Sequence, residues 1–323
     1  MINPTPTVLL TNDDGPPDPR ESPYVLGLYR QLTEVLGWNV KVVLPSAQKS
    51  WIGEATAGKY FYPKEDGKGE LSPKSRPLQP GELTPATCAN VALHNLYPGQ
   101  IDLVISGPNL GRNTSAAFAL SSGTIGAALS SSLSKVRSIA LSYGTVVHPT
   151  PKTYFQPAHV LGARILQHLW QNWGSDELGL KAGEVDLYNV NIPLIEGLLS
   201  QEDLKIYWTN IWRNSYGRLF KNVASDSKSP DKLVINPAGP DSSVDPQTQP
   251  RQRLDPVAPP EGDLLFKWAP DMGNLIQPSP NDLPVGSDGW AIHNGWVSVT
   301  PLRASFAEAP LLAYDPILRN LKL

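Results

Sequence analysis

Between residues 7 and 193 short apolar β-type runs alternate with stretches of helical spacing, and this alternation constrains the fold more than any other feature. "TVLLT" (7–11), "NVKVVLP" (39–45), "IDLVISG" (101–107), "RSIALSY" (137–143) and "VDLYNVNIP" (185–193) read as strands. Between them, "YVLGLYRQLTEVLG" (24–37) sets Val25, Leu28, Leu32 and Val35 at helical spacing, with Gly37 as the stop. "TPATCANVALHNLY" (84–97), "SGTIGAALSSSLSKV" (122–136) and "AHVLGARILQHLWQNW" (158–173) read as further helices. Strand–helix alternation of this kind predicts an α/β fold: a mostly parallel sheet, Rossmann-like, in a three-layer sandwich with helices on both faces. After residue 205 the pattern turns to strands and loops, "LKIYWTNIW" (204–212), "KLVINP" (232–237) and "GWVSVTPL" (295–302), which predicts an appended C-terminal β region. We therefore expect a single domain over 1–323, with a core of about 5–200 and a C-terminal β or oligomerisation region of about 204–305. Proline, 33 of 323 residues, concentrates in 63–85 and 226–262, which read as long loops.

Parallel sheets bind ligands beyond the carboxyl ends of their strands. The first strand ends there in "NDDG", with Asp13 and Asp14 side by side. Asn-Asp-Asp-Gly is also ordinary turn chemistry, so the cluster gains weight only from its neighbours. "PSAQKSWIG" (45–53) follows the second strand with Ser46, Lys49 and Ser50. "SGPNLGRNTS" (106–115) supplies Asn109 and Asn113, and "SSGTIGAAL" (121–129) opens a helix. Each has a plain alternative as a cap or a turn. Four such clusters on one rim are harder to explain separately. Together they offer carboxylates, a hydroxyl and an amide oxygen, an all-oxygen set suited to a hard divalent cation, magnesium or manganese. The helix start at Ser122, Gly123 and Thr124 offers unpaired N–H groups to an anion. A cation beside an anion cradle predicts phosphoryl chemistry with metal-activated water.

These stretches carry a resemblance. "LLTNDDG" (9–15), "PSAQKS" (45–50), "TPATC" (84–88), "DLVISGPNLGRN" (102–113), "SGTIGAAL" (122–129), "YNVNIP" (188–193) and "SDGWAIHNGWVSVTPL" (287–302) resemble, in order, the SurE family of survival-protein-like phosphatases and nucleotidases. The resemblance implies metal ligands at Asp13, Asp14, Ser50 and Asn109, with the two aspartates as the catalytic pair. It implies substrate phosphate contacts at Asn113, Ser122, Gly123 and Thr124. It further implies divalent-metal-dependent hydrolysis of phosphomonoesters, commonly nucleoside monophosphates, by a protein that forms homodimers or higher homo-oligomers. The loops "PPDPRESPY" (16–24) and "QKSWIGEA" (48–55) depart from the usual pattern and resemble fungal-type members. Thr87, where an Asp is common, and Ser121, where an aromatic is usual, also depart from the pattern.

Composition bounds the partners. The 27 basic and 30 acidic residues give a formal charge of -3, with no basic footprint for a nucleic-acid polymer or a membrane surface. Cys88 is the only cysteine, and no apolar run approaches a bilayer span, so a cytoplasmic setting is expected. The histidines at 94, 148, 159, 168 and 293 lack ligand spacing. Trp208, Trp212, Trp290 and Trp296 read as packing or interface, and Trp51 as core or lid packing with base stacking as the sharper alternative. A phosphoacceptor receiver module also pairs acids after its first strand. It needs an acceptor Asp after a later strand, and the later strands here end in "LPS", "ISG" and "LSYG". The remaining alternative is a non-catalytic metal- or nucleotide-binding module on the same scaffold.

Overall fold

The computed structural model describes residues 4–17, 22, 24–45, 58–60, 76–77, 84–145, 150–200, 204–215, 217–222, 266–268 and 278–307. Five parallel strands form its centre: β1 (Thr7–Thr11), β2 (Asn39–Pro45), β5 (Leu103–Leu110), β6 (Arg137–Thr145) and β7 (Leu187–Leu194). They stand in the order β2-β1-β5-β6-β7 with parallel pairing throughout. On one side β3 (Gly58–Tyr60) and β4 (Arg76–Pro77) extend the sheet antiparallel. On the other, β11 (Val297–Leu302) runs antiparallel to β7, and β8 (Ile206–Trp208) pairs parallel to β11 at the edge. The C-terminal strands β8 and β11 thus lengthen the central sheet to nine strands instead of forming a layer of their own. Only β9 (Phe220–Asn222) and β10 (Phe266–Trp268) make a separate two-stranded sheet among the described residues.

Alternation along the strands creates two cores. In β1, Val8 and Leu10 join the larger cluster, which Leu28, Leu32, Leu161 and Leu166 cover from the helices of that face. Leu9 points to the other side, where Cys88, Ala89 and Ala127 pack. The helices of the first face are α1 (Val25–Arg30) and α5 (Phe155–Gln171). Those of the second are α2 (Pro85–Val91) and α4 (Gly123–Leu133). The result is the three-layer α/β sandwich that the alternation predicts.

Several elements differ from the expected ones. The first helix passes at Gln31–Val35 into a π-type turn with i→i+5 bonding, such as Leu36 N–H to the Gln31 carbonyl at 3.1 Å. The wider turn rotates Val35 off the apolar stripe, so it is 67% exposed while Val25, Leu28 and Leu32 are buried. A helix absent from the sequence reading, α3 (Ser115–Ser121), precedes α4 and meets it at 70° across Ser122. Trp290, read as packing or interface, lies in a helix that the sequence reading lacks, α7 (Asp288–His293), which Ser287 caps through the Trp290 N–H at 3.1 Å. Its ring packs with Tyr207 and Trp296, centroids 5.3 and 5.0 Å away. Between β7 and β8 lies the short α6 (Gly197–Ser200). Ser46, Lys49, Ser50, Trp51, the 232–237 strand reading and all of 226–262 lie outside the described residues, as does most of 63–85. Among the described residues no single helix is long and apolar enough to cross a membrane.

Candidate active site

The strand order sets the place. The chain leaves β1 for β2 on one side and later returns to β5 on the other, so β1 and β5 flank the point where the winding reverses. In open α/β sheets that point, beyond the carboxyl ends, opens a crevice for ligands. Asp13 and Asp14 leave β1 there, and Asn109 sits near the end of β5. The turn after β1 is shaped by Asn12, whose side chain accepts the Gly15 N–H at 3.1 Å and donates to the Gly15 carbonyl at 3.0 Å. Gly15 has φ +83°, a left-handed conformation that glycine adopts without strain. On β5, the register with β6 shifts between Ser106 and Asn109. A Cβ on Gly107 would lie 2.1 Å from the Leu141 carbonyl oxygen, so only glycine fits this bulge.

Both carboxylates are buried, at 6% and 3% exposure, and each has its own donors. Asp13 Oδ1 accepts the Thr124 hydroxyl at 2.8 Å, and its carboxylate also accepts backbone N–H groups, including that of Thr124. Asp14 Oδ2 accepts the Leu110 N–H at 3.1 Å, a direct tie between the ends of β1 and β5, and takes a second bond from the Tyr24 hydroxyl. Burial pushes the Asp13 carboxyl up to about 6 against the lowering effect of its hydrogen bonds. Tyr24, buried beside both aspartates, is pushed far above the ordinary phenol range by burial and then by the Asp14 charge, so it stays a neutral donor. Asn109 donates its amide to the Gly111 carbonyl at 2.9 Å, which turns its side-chain oxygen toward the acceptor role.

Three of the expected substrate contacts have other work in this geometry. The hydroxyl proton of Thr124 is given to Asp13, and the residue is fully buried. The Thr124 hydroxyl and N–H at the N-terminus of α4 thus serve the Asp13 carboxylate. Gly123 allows that approach, since a Cβ there would stand 3.2 Å from both Asp13 Cβ and Pro85 Cγ. Asn113 is 6% exposed and held on three sides. Its N–H goes to Asn191 Oδ1 at 2.7 Å, its amide to Ser142 Oγ at 2.8 Å, and its carbonyl accepts the Asn189 amide at 2.8 Å. Its role here is to fix the loop after β5. Ser122 caps α4 through the Ile125 N–H at 3.2 Å and is half-buried, so its own hydroxyl proton remains available to a ligand. Ser50, the expected fourth ligand, lies outside the described residues.

Residues 8–218, well over half of the chain, match the family model described as "Survival protein SurE". The chain belongs to the SurE family. Among its relatives is the "Probable tubulin--tyrosine ligase PBY1" of Saccharomyces cerevisiae, 30% identical over 93% of this chain and 41% of that protein. The "5'-nucleotidase SurE" of Campylobacter concisus is 33% identical over 58% of this chain and 66% of its own length. That of Desulfovibrio desulfuricans is 31% identical over 65% of this chain and 75% of its own. The chain thus spans less than half of the yeast relative and about two thirds of the Campylobacter SurE. The crystal structure of the SurE protein from Aquifex aeolicus superposes with a TM-score of 0.59 at 22% identity, covering 95% of this chain and 97% of that one. It shares the SurE fold.

Sequence reading passed over Tyr24, Ser142, Asn189 and Asn191. The two asparagines carried a usable signal. They stand two apart on a strand that is buried along its length, and buried polar side chains at such positions need partners.

Proposed function

We propose that this SurE-family chain is a divalent-metal-dependent phosphomonoester hydrolase acting on nucleoside monophosphates or similar small phosphomonoesters. The observation that carries the reading is the pair of adjacent buried carboxylates at the winding reversal, each held by donors from a different strand or helix. Two desolvated negative charges side by side are costly unless a cation joins them. The donor set fits that cation. A carboxylate has about four lone-pair sites, so an aspartate can accept protein donors and still ligate an ion. Asp13, Asp14 and the Asn109 oxygen would hold the ion, which favours oxygen ligands and open positions. When bound, Mg²⁺ or Mn²⁺ supplies Lewis-acid chemistry, polarising a phosphoryl oxygen and making water a competent nucleophile near neutral pH. The chain's own part is to aim Asp13 through Thr124, aim Asp14 through Tyr24 and Leu110, and offer the Ser122 hydroxyl at the rim. The nucleotidase names of the bacterial relatives support the same reading. The yeast relative is named for another activity, but the match takes in 41% of it, and no site observation favours that activity here.

The test is phosphate release from a panel of nucleoside 5'-monophosphates, with Mg²⁺, with Mn²⁺ and with chelator. Release that needs the metal is expected. Asp14→Asn should abolish nearly all of it, together with the rise in melting temperature on adding metal, while the variant stays folded. Full metal-dependent release by Asp14→Asn would reduce the paired carboxylates to a turn and overturn the proposal.

A further inference from the structure

We propose that Asp288, far along the chain, is a positioning residue that fixes the segment following β5, which carries Asn113 and leads into α3. The inference rests on the hydrolase reading above for its functional meaning. The Asp288 side chain is fully buried. Its Oδ2 accepts the Ser115 N–H at 2.8 Å, and its Oδ1 accepts the N–H groups of Trp212 at 2.9 Å and Gly289 at 2.7 Å. One carboxylate thus joins α7, the 209–215 segment and the start of α3. The next two N–H groups of α3 are claimed by the same segment. Ala116 donates to the Trp212 carbonyl at 2.8 Å, and Ala117 to Asn214 Oδ1 at 2.9 Å. The segment is itself tied to α7, through the Asn210 N–H to the Gly286 carbonyl at 3.0 Å and the Asp288 N–H to the Asn210 carbonyl at 2.9 Å.

Ser115 is where the clasp acts. It has φ +77°, in the left-handed region that a residue with a side chain enters only under constraint. Its hydroxyl is buried without a hydrogen-bond partner among the described residues, so the hydroxyl does not set the conformation. What the structure does offer Ser115 is the charged acceptor of Asp288 on its N–H. Two residues earlier, Asn113 is pinned by Asn189, Asn191 and Ser142. The segment after β5 is therefore held at 111 and 113 by β6 and β7 and at 115 by Asp288. If the second hold is lost, Ser115 can relax to negative φ and the loop end moves. Displacements of about 1 Å at a reacting centre cost about 100-fold in rate.

The experiment compares the parent, Asp288→Asn, and Asp288→Asn with Ser115→Gly, all as the full chain. In Asp288→Asn the remaining oxygen keeps the Trp212 and Gly289 N–H groups, and the NH₂ group that then faces the Ser115 N–H cannot accept it. The expected result is a turnover about 10- to 100-fold lower at saturating Mn²⁺, in protein that circular dichroism shows to be folded. Hydrogen exchange should be faster at 109–117. Adding Ser115→Gly should restore at least half of the lost turnover on a logarithmic scale, because glycine holds positive φ without the clasp. A merely structural Asp288 would lower the melting temperature yet leave turnover, KM and exchange at 109–117 unchanged, and that result overturns the inference. If Asp288→Asn does not fold, Asn214→Ala removes one bond of the same clasp and is read in the same way, with unchanged exchange at 109–117 again decisive against it. A parent without metal-dependent release would sink the hydrolase reading instead, and the exchange comparison would still decide the clasp.

Discussion

Thr124→Val separates two roles for the start of α4. The substitution keeps side-chain volume in a fully buried position and removes one hydroxyl. In this structure that hydroxyl donates to Asp13 Oδ1 at 2.8 Å, so its loss frees a carboxylate that we assign to the cation. A hydrogen bond to a charged group contributes about 1.5–3 kcal/mol, which at about 1.4 kcal/mol per decade corresponds to about 10- to 100-fold. Loss of a partner that orients a metal ligand has effects of the same size on metal affinity. The expected outcome is that half-maximal phosphate release needs about 10- to 100-fold more Mn²⁺, while substrate KM at saturating metal is little changed. The alternative, a Thr124 hydroxyl that binds the substrate phosphate, has the opposite signature: KM rises and the metal requirement stays where it was. The assay is a two-dimensional titration of metal and substrate on parent and variant, with a melting curve to show that both are folded. A raised KM with an unchanged metal requirement would refute the assignment of Thr124 to Asp13.

Two further outcomes are expected. Tyr24→Phe keeps the edge-on ring contacts with Tyr143 and Phe155, at 6.3 and 5.7 Å, but removes the hydroxyl that Asp14 accepts. Metal affinity, read from the melting-temperature rise with Mn²⁺, should therefore fall about tenfold or more, while metal-free stability changes by about 1 kcal/mol. His159, buried with Nδ1 at 2.9 Å from the Tyr143 hydroxyl, is held by burial at about 4, below its ordinary 6.5. The unfolded chain then binds the extra proton first, so stability present above pH 6.5 is lost as pH falls toward 4, by up to about 3 kcal/mol. Denaturant unfolding at pH 7 and 4.5 should show His159→Gln losing less stability on acidification than the parent.

What the sequence made legible follows the range of the interactions. β2 spans 39–45 as read, because its Val- and Leu-rich run with β-branched residues is a local signal that needs no distant information. The placing of Asp13 and Asp14 at a strand end was equally local. Position 124 was different: its Ser-Gly-Thr setting signals an anion, and an anion is there, but it comes from Asp13, 111 residues earlier. Periodicity cannot name a partner at that separation. α3 was missed because "RNTSAAFALS" opens on polar turn residues, and Ser115 enters the helix from positive φ, held by a bond across 173 residues. Val35 had the right spacing and failed, because a π-type turn changes the period that the spacing assumes.

The adjacent carboxylates also explain why this rim draws on so much of the chain. On the proposed function both must stay ionised to hold a cation, yet burial drives Asp13 toward neutrality. The turn's own N–H groups are few, so most donors for two neighbouring acids come from elsewhere. Besides its own N–H, Asp13 is therefore served from α4, by the hydroxyl and the N–H of Thr124 in the first turn, where the helix dipole is positive. Asp14 is served from the opposite quarter, by Leu110 on β5 and by Tyr24 at the start of α1. These groups can act only if β1, β5, α1 and α4 keep their register, so the charge state of the pair depends on packing across both faces of the sheet. A variant that loosened α4 from β1 should accordingly lose metal binding before it lost secondary structure.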